Sequence, residues 1–125
     1  MRLDEKQKEK LRTQIVELLI AYRRQYLSTG ASGLTHWDIL QNRTLSAARR
    51  SGTMDQWVSL LARGLQLQAP DKGACSAILD LTTFVRELGN GTDGCVLSMI
   101  RTELGLLMAM TRKCAEERRE QRDEV

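Results

Sequence analysis

The sequence predicts an all-α fold, a single compact bundle of about five helices, on three observations. Aromatic residues make up only 4% of the chain while 42% is hydrophobic. The core must therefore be assembled from Leu, Ile, Val, Met and Ala, which suits helix-on-helix packing better than a sandwich. Apolar residues recur at helical spacing in successive segments. Those segments are separated by short stretches rich in Gly or holding Pro70, the only proline, and nothing in them reads as a strand hairpin. At 125 residues the chain fits one domain over residues 1–125, large enough to bury a core without disulfides or metal.

The first helix is expected from about Asp4 to Leu27, because Leu11, Ile15, Leu18, Leu19, Tyr22 and Tyr26 form one apolar stripe. Asp4 and Glu5 sit in its first turn and Arg23 and Arg24 in its last turns, as the helix dipole prefers. The glycines of Ser-Thr-Gly-Ala-Ser-Gly, residues 28–33, then break it. Thr35, with Asp38 three residues on, caps a second helix over 36–50. Thr53 with Gln56 repeats the device and opens a third helix over 54–68. Ala69-Pro70-Asp71 resets the chain, and a fourth helix over 71–88 carries Ile78, Leu79, Leu81, Phe84, Val85 and Leu88, with Gly89 as its cap. The last helix is expected over 94–121. Val96, Ile100, Leu104, Leu107 and Cys114 make one stripe, and Met99, Leu106 and Met110 lie on another flank. So wide an apolar surface implies cover, either by a central position in the bundle or by a neighbouring subunit.

Charge narrows the function classes through its distribution. The net charge is +3 with 19 basic and 16 acidic residues, a weak signal for a polyanion partner. The tail Arg-Lys-Cys-Ala-Glu-Glu-Arg-Arg-Glu-Gln-Arg-Asp-Glu-Val cancels itself, whereas Ile39 to Met54 holds Arg43, Arg49 and Arg50 with no acid. Any surface that faces a polyanion should involve that window. His36 is the single histidine, and Cys75, Cys95 and Cys114 fit no metal-ligand spacing. No phosphate-cradling glycine loop or nucleophile elbow is present. The expectation is a protein that is not an enzyme, with no catalytic residue, metal or cofactor. The charged N-terminus does not read as a signal peptide, and Arg101 and Glu103 interrupt the most apolar run. With an odd number of cysteines, that implies a soluble, cytoplasmic protein with reduced, buried thiols and no membrane contact.

Residues 43–64, Arg-Thr-Leu-Ser-Ala-Ala-Arg-Arg-Ser-Gly-Thr-Met-Asp-Gln-Trp-Val-Ser-Leu-Leu-Ala-Arg-Gly, also fit a helix-turn-helix. Ala48, Gly52, Val58 and Leu61 fall where that motif takes a small residue, a turn glycine and two buried apolars. Against it, Asp55 stands at the start of the would-be recognition helix and would repel phosphates.

The same stretch, together with Met-Ile-Arg-Thr-Glu-Leu-Gly-Leu-Leu-Met-Ala-Met-Thr-Arg-Lys-Cys-Ala-Glu-Glu (Met99 to Glu117), resembles the small all-helical subunit of type III CRISPR effector complexes, the Cmr-module small subunit. The shared order is a long first helix, a basic helix ending near Ser-Gly, a helix with Gln before small and apolar residues, and Thr-Glu before an aliphatic run with a basic end. The chain departs from the family in having Ser46 or a neighbour where a Pro is usual, Thr53 where a Leu follows the Gly, Leu60 or Leu61 where an aromatic often falls, and Met108 or Met110 where a Trp falls. The resemblance implies a non-catalytic subunit in antiviral defence. It would stack on copies of itself and other effector subunits as an inner filament, touching the backbone of the guide RNA–target RNA duplex without reading bases. The backbone contacts it implies fall on Arg43, Arg49, Arg50 and Arg24, and the partner interface on Met99, Leu106, Met110 and Trp57. Two other readings compete with it. One is a free-standing helical regulator or inhibitor acting through protein–protein contacts; the other is a helix-turn-helix repressor.

Overall fold

The computed structural model describes residues 3–28 and 36–123, with side chains for all of these except 36 and 118–123. Five helices and no strand occur among the described residues: α1 (Glu5–Ser28), α2 (His36–Arg50), α3 (Met54–Gly64), α4 (Lys72–Leu88) and α5 (Thr92–Asp123). The all-α bundle expected from the sequence is the fold observed. The Thr35 cap and the Gly30–Gly33 break lie outside the described residues.

Contacts between particular residues fix the helix directions. Arg12 of α1 meets Glu103 of α5, and Arg23 and Arg112, further along the same two helices, both lie over Trp37, so α1 and α5 run parallel. Arg101 reaches the Ala48 carbonyl while Arg112 reaches Trp37, so α2 runs antiparallel to α5. Arg24 abuts Gly73 and Lys10 sits over Phe84, which sets α4 antiparallel to α1. The turn between α4 and α5 is tight because Gly89 (φ 102°) and Gly91 (φ 85°) enter the region that L side chains avoid.

Helix α1 is covered on two sides, by α4 and α5. Val16, Ile20 and Ala21 are therefore buried along with Leu11, Ile15, Leu18, Leu19 and Tyr22, and the stripe read from the sequence is only part of its buried surface. The Tyr22 hydroxyl donates to the Val58 carbonyl across a long 3.4 Å, and burial pushes its phenol up to about 12. Helix α5 is likewise flanked by α1 and α2. Of the two explanations for its wide apolar surface, the central position accounts for Val96, Leu97, Met99, Ile100, Leu104, Leu107 and Met108, all buried within the chain. By length and hydropathy alone α5 could cross a membrane; in this fold those side chains form the core. On α2, Leu40 is the one large buried residue and Thr44, Ala47 and Ala48 make up the rest, with buried Ser51 just past its end, so small side chains bring α2 and α5 close. The buried hydroxyls of Thr44, Ser51 and Thr111 donate to the carbonyls of Leu40, Ala47 and Leu107, four residues back, which leaves none of them orphaned.

Some helix ends follow the sequence closely and others depart from it. Asp4 is a cap rather than a first-turn acid: its carboxylate accepts the Gln7 N–H, and the Gln7 side chain accepts the Asp4 N–H in return. Arg23 and Arg24 precede the last turn of α1, which runs on to Ser28. Thr53 accepts the Gln56 N–H as expected, and Asp71 accepts the Ala74 N–H. Gln25 clamps the Pro70 turn, donating to the Ala69 carbonyl and accepting from the Asp71 N–H. Helix α5 starts two residues early, at Thr92, which is buried and bonds the Gly89 carbonyl.

The largest departure is α3, which stops at Gly64 rather than near Gln68. Leu67 N–H bonds the Ala62 carbonyl and Gln66 N–H the Arg63 carbonyl, the double closure of a Schellman end, with Gln66 at φ 59°. Burial of Leu65 and Leu67 imposes this, since continuing the helix would turn one of them outward. A side chain in that left-handed conformation costs on the order of 1 kcal/mol. Gln66→Gly is expected to raise stability by about 0.5 kcal/mol, the relieved strain outweighing the added freedom of the unfolded chain. Chemical denaturation checks this, and a loss of stability would contradict it.

A bidentate ion pair fastens α1 to α5. Arg12 Nε and Nη2 donate to the two Glu103 carboxylate oxygens at 2.7 and 2.8 Å, with both side chains largely covered. The hydrogen bonds from Arg12 hold the Glu103 carboxyl below its usual value and raise Arg12 above its own. A carboxyl with a depressed folded pKa stabilises the fold above its unfolded value, and that contribution disappears as pH falls through the folded pKa. Glu103→Gln is expected to cost about 1 kcal/mol near neutral pH. The gap from the parent protein should close as the pH is lowered through the acid range. A gap that persists in acid would mean that the ion pair is not its source.

Candidate nucleic-acid interface

The acid-free window of the sequence lies on the outer side of α2, where α3 folds back beside it. Arg43 and Arg50, two turns apart on one face, line a recess of about 100 Å³ with Ser46, Ala47, Leu60, Arg63 and Gly64. Arg63 is the residue that sequence reasoning missed. Its only sequence signal is its position one residue before Gly64, and the α2–α3 corner is what carries it across to Arg43. No carboxylate lines this recess. Gly64 has a specific part in it. A Cβ there would stand 3.3 Å from Arg43 Cδ, so the bare glycine lets the arginine stem lie across α3. An arginine stem supported in this way gives up less freedom when its guanidinium engages an anion.

Helix α5 holds the corner that builds the recess. Arg101 Nη1 donates to the Ala48 carbonyl in the last turn of α2, and Asp93 accepts the Met54 N–H at the start of α3, at 2.8 Å. Thr53 and Gln56 complete the corner, Gln56 reaching back to the Gly52 N–H. The two helices that carry the arginines are thus fixed from the opposite side of the bundle.

The other residues of the expected backbone set separate. Arg49 is exposed on the flank of α2, outside the recess. Arg24 belongs to a different place. It lines a recess with Glu17, Gly73 and Asp80 between α1 and α4, where two acids face the same space. The expected partner interface also divides. Trp57 is 0% exposed and Met99 8%, so both belong to the core: Trp57 is part of the buried face of α3, and Met99 is covered within the bundle. Leu106 remains 51% exposed and Met110 half-buried beside it, so the outward apolar surface of α5 reduces to these two.

The helix-turn-helix reading loses ground in this geometry. Gly52 has no positive φ, so the corner does not need a turn glycine. The start of α3 meets Asp93 and carries exposed Asp55, so the helix end that would approach phosphates presents two carboxylates. The His36 side chain lies outside the described residues. Among the described residues, no group of His, Cys, Asp and Glu is arranged to hold a metal ion.

None of the three cysteines forms a disulfide, but they are not all sheltered: Cys75 is exposed near the start of α4, and Cys95 and Cys114 are half-buried. The expectation of buried thiols is therefore corrected. Ala74 and Leu81 take the inward positions of α4 and turn Cys75 to solvent. Cys75 should react with a thiol reagent in the native protein well ahead of the other two. Peptide mapping after brief labelling checks this, and equal labelling of all three would contradict it.

Compared with known proteins, the chain matches no family model, no curated protein and no solved structure.

Proposed function

We propose that this chain is a non-catalytic, RNA-backbone-binding structural subunit of the type III CRISPR effector kind, acting beside the guide RNA–target RNA duplex. The observation that carries the reading is the recess of about 100 Å³ lined by Arg43, Arg50 and Arg63, with no acid in its lining. Such a recess suits one phosphate of a nucleic-acid backbone, because arginine presents paired N–H donors at the spacing of phosphate oxygens. Backbone contact of this kind positions a duplex without reading its sequence. The rest of the molecule supports the same role. The corner that carries the arginines is braced by α5, and exposed Leu106 with Met110 gives a neighbouring subunit a small apolar foothold. The resemblance of residues 43–64 and 99–117 to the small subunit supplies the assembly: copies in a filament with other effector subunits, in the cytoplasm. The negative start of α3 favours this reading over the repressor.

The test is binding of an RNA duplex of arbitrary sequence by the parent protein and by Arg43→Ala with Arg50→Ala, at two salt concentrations. The parent should bind weakly, indifferent to sequence, and lose affinity steeply with salt. The double variant should bind more weakly to every sequence, with the salt slope flattened by about one unit for each phosphate contact removed. Both side chains are exposed, so the fold should survive. If affinity and slope are unchanged, α2 does not face nucleic acid and a partner-protein role replaces this reading.

A further inference from the structure

On the side of the bundle where α1, α2 and α5 converge, two arginines share one indole. The Arg23 guanidinium lies 4.1 Å from the centre of the Trp37 ring and that of Arg112 lies 5.5 Å from it. Two cations held this near to one ring are within about 10 Å of each other, a distance comparable with the screening length of about 8 Å at physiological salt. Their mutual repulsion is unfavourable, and among the described residues neither forms an ion pair that would relieve it. Arg23 carries a further cost. Its Nε is buried and has no hydrogen-bond partner, and burial alone pulls its guanidinium below its usual value, with no carboxylate acting against that shift. The indole face offsets part of this through its negative quadrupole. It accepts no in-plane N–H bond, so Arg23 Nε still lacks an acceptor, while exposed Arg112 offers its donors to solvent.

We propose that Arg23 and Arg112, held on Trp37, form a binding site for a phosphate group. A phosphate supplies a negative charge between the two cations and oxygen acceptors for the N–H groups on their accessible edges. Placement of the three residues on three different helices makes the site a property of the assembled bundle. A bound phosphate would tie α1, α2 and α5 together. The site stands apart from the Arg43–Arg50–Arg63 recess and does not depend on the reading given to that recess.

The experiment follows the two indole N–H signals in a proton–nitrogen spectrum of the whole protein, with the Trp37 signal assigned by its loss in Trp37→Phe. Inorganic phosphate is titrated against a chloride control of equal ionic strength, and an RNA duplex is titrated separately. Phosphate should move the Trp37 signal saturably and leave the buried Trp57 signal in place. Arg112→Gln, an exposed position where folding is not at issue, should weaken the phosphate response about tenfold, and Arg23→Gln should do the same. If RNA moves the Trp37 signal and free phosphate does not, the ligand is a backbone phosphodiester held by the same two arginines, provided Arg112→Gln again weakens it. If chloride gives the same shift as phosphate, or if neither phosphate nor RNA moves Trp37, the proposal is overturned. The Arg43→Ala, Arg50→Ala variant should keep its phosphate response at Trp37, which separates this site from the α2–α3 recess.

Discussion

Helix α5 is covered on two sides at once, and the remainder of the molecule is arranged around that constraint. An apolar surface as wide as the one from Val96 to Met108 cannot be left to water in an isolated chain. Helix α1 covers one side in parallel and α2 covers the other in the opposite sense. The α1 contact carries the bulky residues and the Arg12–Glu103 pair, while the α2 contact is built on Thr44, Ala47, Ala48 and Ser51 and brings the helices close. Chain connectivity then leaves α3 and α4 to close the bundle.

The polar residues of α5 do a second job that follows from this central position. Asp93 and Arg101 are two turns apart, and they reach the two sides of the α2–α3 corner with opposite charge. Asp93 accepts the Met54 N–H that opens α3, and Arg101 meets a carbonyl that closes α2, each sign matching the helix end it faces. The corner is therefore rigid without a special glycine. Its outer side carries Arg43, Arg50 and Arg63 around a recess with no acid in its lining, although Asp55 lines the adjoining recess with Arg50. Rigidity matters for a surface that touches backbone only, because its affinity comes from a few charged contacts whose side chains must lose freedom on binding.

Two arginine clusters result, and they differ in kind. The α2–α3 recess is built by local geometry: a two-turn spacing, a corner, and a glycine that lets one stem pass. The Arg23–Trp37–Arg112 cluster is built by convergence of three helices distant in sequence. These two clusters set Arg43, Arg50 and Arg63 apart from Arg23 and Arg112, while Arg24 and Arg12 are placed against acids.

The sequence alone determined that five helices form, where most of them begin, and which window is free of acid. Apolar spacing, Thr53 as a cap, the Pro70 break, Gly89 as a stop and the charge pattern of residues 39–54 are local facts, written within a turn or two of where they act. Tertiary structure decided everything that depends on which faces meet. It took Trp57 and Met99 from the expected interface into the core, moved Arg24 to an acidic recess, and brought Arg63 and Arg112 to sites that no spacing rule links to their partners. It also ended α3 at Gly64, against the continuing apolar pattern, because burying both Leu65 and Leu67 outweighs the strain at Gln66. Helical periodicity fixes a residue's angle about its own axis; the burial of that angle is fixed only when another helix lies against it.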